Sequence, residues 1–67
     1  MKVPMIPIKI KEIETNKFSV FLEQDEDSRF VIKYKRNSME NYAYLSFTDL
    51  NVANKVFDDT LINLEGH

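Results

Sequence analysis

The sequence predicts an α+β fold: a four-stranded antiparallel β-meander with one C-terminal amphipathic helix packed on one face, in the order β-β-β-β-α. Two observations lead there. Up to Phe47, four segments alternate apolar and polar residues with period two, the signature of half-buried strands. Beyond Leu50 the apolar spacing changes to three and four, which marks one face of a helix. The connections are short, so neighbouring strands pair antiparallel. A one-sided sheet and an amphipathic helix each need a cover, and each can supply the other's.

The first strand is expected over residues 5–13, with Ile6, Ile8 and Ile10 on one side and Pro7, Lys9 and Lys11 on the other. Pro7 cannot donate to a ladder, which suits an edge strand. Thr15-Asn16 forms the turn. The second strand spans 17–24, its core side carrying Phe18, Val20 and Leu22 and its other side Lys17, Ser19, Phe21 and Glu23. The acidic run from Glu23 to Asp27 makes the exposed tip of a hairpin. The third strand, 29–36, is β-branched and aromatic. Phe30, Ile32 and Tyr34 share one side; Arg29, Val31, Lys33 and Lys35 share the other. After a polar turn, the fourth strand covers 42–47, setting Ala43, Leu45 and Phe47 against Tyr42, Tyr44 and Ser46. Thr48 or Asp49 caps a helix over about 49–64, whose apolar face is Leu50, Ala53, Val56, Phe57, Leu61 and Leu64. Gly66 serves as the stop signal. The expected core is Ile6, Ile8, Ile10, Phe18, Val20, Leu22, Phe30, Ile32, Leu45, Phe47, Val56, Phe57 and Leu61.

The 67 residues allow a single small domain, 1–67. A chain of this size buries only about 60% of its unfolded surface, and small folds commonly add disulfides, a metal or a partner subunit. There is no cysteine and only His67 as imidazole, so no metal site and no cofactor are expected, and a homodimer is the remaining device. The absence of cysteine suits a reducing cytoplasm. Met1-Lys2-Val3-Pro4 lacks the apolar run of a signal peptide, and no segment approaches the ~20 apolar residues of a membrane span.

Catalytic chemistry finds little to use. No serine has an internal histidine to activate it, and Gly66, the single glycine, leaves no loop to cradle phosphate. Asp58 and Asp59 are adjacent on a helix and do not face each other. The run from Glu23 to Asp27 lacks the spacing and turn glycine of a calcium loop, and five residues are too few to mimic a nucleic-acid backbone. The chain is therefore expected to be non-enzymatic.

The face of the sheet away from the helix is the candidate interaction surface: Lys9, Lys11, Phe21, Val31, Lys33, Lys35, Tyr42 and Tyr44, with Lys17 beside them. Read this way the surface is cationic although the net charge is −2. Lysine and tyrosine are also ordinary residues for the solvated face of an antiparallel sheet; as a binding surface it suits two partner classes. Phe21, Val31, Tyr42 and Tyr44 would form an aromatic patch for a protein partner or a second copy. Alternatively, the rings would stack on bases while lysines track phosphates, binding single-stranded nucleic acid. The strand order resembles that of small nucleic-acid-binding coactivator domains, in topology alone.

Overall fold

Residues 8–66 are described by the structure, a computed structural model. Strands β1 (Ile8–Glu14), β2 (Phe18–Gln24), β3 (Phe30–Arg36) and β4 (Ala43–Phe47) form one sheet in chain order, every neighbouring pair antiparallel. Helix α1 (Leu50–Glu65) follows and packs on β2, β3 and β4. The predicted fold class is the observed one. The expected start of the first strand and the core position Ile6 lie outside the described residues.

Side-chain chemistry builds the turns. The Thr15 hydroxyl accepts from the backbone N–H groups of Lys17 and Phe18, both at 3.1 Å, while the Thr15 N–H donates to the Phe18 carbonyl at 2.8 Å. At the acidic tip, one oxygen of the Asp25 carboxylate accepts from the N–H groups of Asp27 and Arg29, each at 2.9 Å. Ser28 there takes φ 63°, a left-handed conformation that costs a residue with a Cβ. The N–H of Asn37 donates to the Lys17 carbonyl at 2.9 Å, and its side-chain amide to the Asn16 carbonyl at 2.6 Å, tying two loops together.

Of the two cap candidates, Asp49 is the one used: its carboxylate accepts from the Asn51 N–H at 2.8 Å. At the other end Gly66 has φ −76°. Its N–H closes on the Ile62 carbonyl at 2.9 Å, so the helix does not end through a left-handed glycine as the stop signal implied.

Phe18, Val20, Leu22, Ile32, Ala53, Phe57 and Leu64 make the buried core, with Ile13, Phe30, Tyr34, Leu45, Phe47, Val56 and Leu61 half-buried against it. Thr60 is buried among them, its hydroxyl donating to the Val56 carbonyl one turn back at 2.8 Å. That bond satisfies the donor and lets threonine pack as an apolar residue. Asn54 is half-buried, and its side-chain oxygen has no hydrogen-bond partner among the described residues.

The expected core positions Ile8 and Ile10 are corrected: they are 59% and 38% exposed. Two causes combine. The helix does not reach over β1, and the β1–β2 register shifts between Lys9 and Lys11. Ile10 is the extra residue of a bulge, and a one-residue slip exchanges the faces of everything beyond it.

Candidate functional site: the open face of the sheet

The slip in β1 decides which side chains share the face away from α1. Before it, Lys9 lies beside Glu23; after it, Glu12 lies beside Phe21 and Glu14 beside Ser19. Across β2 and β3, Glu23 pairs with Val31, Phe21 with Lys33, and Ser19 with Lys35; across β3 and β4, Val31 pairs with Ser46 and Lys33 with Tyr44. Side chains of directly opposed residues share a face. The open face is therefore a grid holding Lys9, Lys33 and Lys35 with Glu12, Glu14 and Glu23, around Phe21, Val31 and Tyr44.

Lys11 is the residue that does not belong. It pairs with Leu22 on the helix side, and its Nζ lies 5.3 Å from the centre of the Phe57 ring. Its assignment to the interaction face is thus corrected. Strict alternation through Ile8, Lys9, Ile10 and Lys11 places Lys11 with Lys9, and the bulge reverses that parity. In exchange Glu12 and Glu14 enter the face, which is charge-balanced rather than cationic.

Phe21 is 7% exposed although no helix covers it. Its cover is local. The Tyr42 ring packs at 6.1 Å with a 60° tilt. Lys33 Nζ sits 5.0 Å from the Phe21 centroid and 4.9 Å from that of Tyr42; Lys9 reaches Phe21 at 5.6 Å and Lys35 reaches Tyr42 at 5.3 Å. Lysine stems lie along apolar surface while the ammonium groups stay in water, and the cations are drawn to the ring faces. Lys9 also binds Glu12 at 2.6 Å. Its pKa is raised above the usual 10.5, first by that hydrogen bond and then by the carboxylate's charge.

Tyr44 differs from both other rings. It stands 65% exposed on the edge strand β4, opposite Lys33. Val31 is half-buried one row away. Lys17, expected beside the face, lies exposed in the β1–β2 turn.

Sequence reasoning missed Glu12 and Glu14. The signal was present: isoleucines fall at 8, 10 and then 13, a break in alternation that marks the slip. Among the described residues no group of His, Asp or Glu side chains is placed to hold a metal ion. The carboxylate of Asp25 is engaged with backbone N–H groups of its own turn. No helix among them is long and apolar enough to cross a membrane. Comparison with protein-family models, curated proteins and solved structures returned no match.

Proposed function

We propose that this chain is a non-enzymatic interaction or regulatory protein that engages a protein partner through the open face of its sheet, centred on Tyr44. The observation that carries this reading is the exposure of Tyr44 on a face whose lysines and glutamates balance. Tyrosine is enriched at interfaces because it offers a large contact area with few rotatable bonds and a polar tip. A mixed-charge surround confers register and partner choice rather than bulk attraction.

The same geometry weighs against single-stranded nucleic acid. A phosphate chain laid along Lys33 and Lys35 would pass Glu12, Glu14 and Glu23 on the same face. Phe21 is too covered to stack on a base, leaving Tyr44 as the exposed ring. With no cysteine to oxidise, a reducing cytoplasmic setting suits the chain.

The test compares wild type, Tyr44→Ala and the double variant Lys33→Glu/Lys35→Glu. A protein captured from the native extract should be released about tenfold more readily from Tyr44→Ala, the scale of an interface hot spot. Capture should survive nuclease and raised salt. If nuclease or moderate salt abolishes it while Tyr44→Ala leaves it intact, phosphate contacts carry the binding and this reading fails.

A further inference from the structure

Among the described residues β1 is an edge strand, and α1 does not reach over its helix-side surface. α1 spans β2 to β4, and Ile8 and Ile10 stand exposed beside its margin. Charge on an edge strand ordinarily discourages pairing with another strand. Here the charges are ordered in a way that discriminates between registers: Ile8-Lys9-Ile10-Lys11-Glu12-Ile13-Glu14 runs from basic to acidic. Two such strands laid antiparallel set each basic end against the other's acidic end.

We propose that β1 is a self-complementary edge, and that two copies of this chain join through it into a continuous sheet with a two-fold axis at the bulge. The faces select the register. Before the bulge, Ile8 lies on the helix side and Lys9 on the open side; after it, Lys11 and Ile13 lie on the helix side and Glu12 and Glu14 on the open side. Opposed residues must share a face. With the two bulges abutting, Lys9 meets the partner's Glu12 on the open face, and Ile8 meets the partner's Ile13 on the helix side. Two-fold symmetry repeats both contacts. The open face then gains an alternating quartet, since each Lys9 already holds its own Glu12 at 2.6 Å.

Neighbouring registers are penalised. Centring the axis on Lys11 sets lysine against lysine, and centring it on Glu12 sets glutamate against glutamate. One arrangement thus pairs opposite charges on a shared face; those centred on Lys11 or Glu12 oppose like charges, and one centred between these two opposes residues of different faces, which is how specificity is built into an interface. The pairing also covers Ile8, exposed on the edge of the isolated chain. β4 offers nothing equivalent, since Ala43–Phe47 carries no charged residue. This association uses a different surface from the Tyr44 face and stands independently of it.

Charge-swapped chains provide the test. Sedimentation over about 1 μM to about 1 mM, the span of weak to moderate association, should show wild type passing from monomer to dimer. Lys9→Glu and Glu12→Lys should each weaken self-association at least about tenfold, because each opposes like charges across the axis. Mixed together, the two variants should dimerise again, because the carboxylate introduced by Lys9→Glu in one chain then meets the ammonium introduced by Glu12→Lys in the other. A purely intrachain role for the Lys9–Glu12 pair cannot produce that recovery. Ile8→Lys, at an exposed position that leaves the protomer folded, should also weaken the dimer. Amide exchange along β1 should slow as concentration rises. A wild type that stays monomeric throughout, single variants that dimerise as well as wild type, or a mixture that stays monomeric would each overturn the proposal.

Discussion

Ser28 shows how one residue can hold an unfavourable conformation for the sake of its neighbours. Its φ of 63° closes the tip in which Asp25 accepts two backbone N–H bonds. Glycine adopts this conformation without a Cβ clash. Ser28→Gly should therefore raise stability by about 0.5–1 kcal/mol after the extra unfolded-state entropy of glycine is subtracted. Thermal melts followed by circular dichroism should rise by a few degrees, and a fall would show that the serine side chain contributes more than its strain costs. Phe21 makes the complementary point. Its position on the open side is legible from alternation, but its burial is not. Lys9, Lys33 and Tyr42 come from three separate segments, and only the folded sheet assembles them over one ring.

Among the elements, β1 and α1 carry the contrast between what pattern reveals and what it hides. α1 is readable almost to its ends because its apolar spacing and cap are local. Thr48 and Asp49 are equivalent on sequence, and backbone geometry selects Asp49. Asp49→Ala should cost about 1 kcal/mol, seen as a lower urea midpoint with unchanged slope. A cost below experimental error would mean that another group satisfies the Asn51 N–H. β1 departs from simple alternation beyond Ile10 because a bulge needs no glycine or proline to announce it. The isoleucine at 13 instead of 12 is its trace. That single slip moves Lys11 to the helix side, its ammonium near the Phe57 ring, and turns a cationic surface into a balanced one.

At the scale of the whole molecule, the core is thin and depends on a few contacts between layers. Phe57 is the largest fully buried side chain and sits between α1 and the sheet, with Lys11 over its ring. Phe57→Ala should cost about 3–5 kcal/mol. A chain of this length has roughly 3–10 kcal/mol in all. The variant should therefore lose a large part of its stability, seen as a much lower urea midpoint, whereas Tyr44→Ala should stay within about 0.5 kcal/mol of wild type. An unchanged midpoint would show that Phe57 does not hold the helix and sheet together.

Local periodicity by itself determined the order of strands and helix, the inward residues of β2 and β3, most of those of α1, and the turns, because these depend on neighbours two to four positions apart; packing decided that Thr60 goes in and Leu50 stays out. Tertiary structure decided what lies on the open face and which edge is left uncovered. The reason is physical: which face a β1 side chain takes is set by its pairing with β2, and the reach of α1 over the strands depends on how the two layers pack. The chain at β1 contains both the alternation and its interruption, and only the partner strand chooses where the interruption falls.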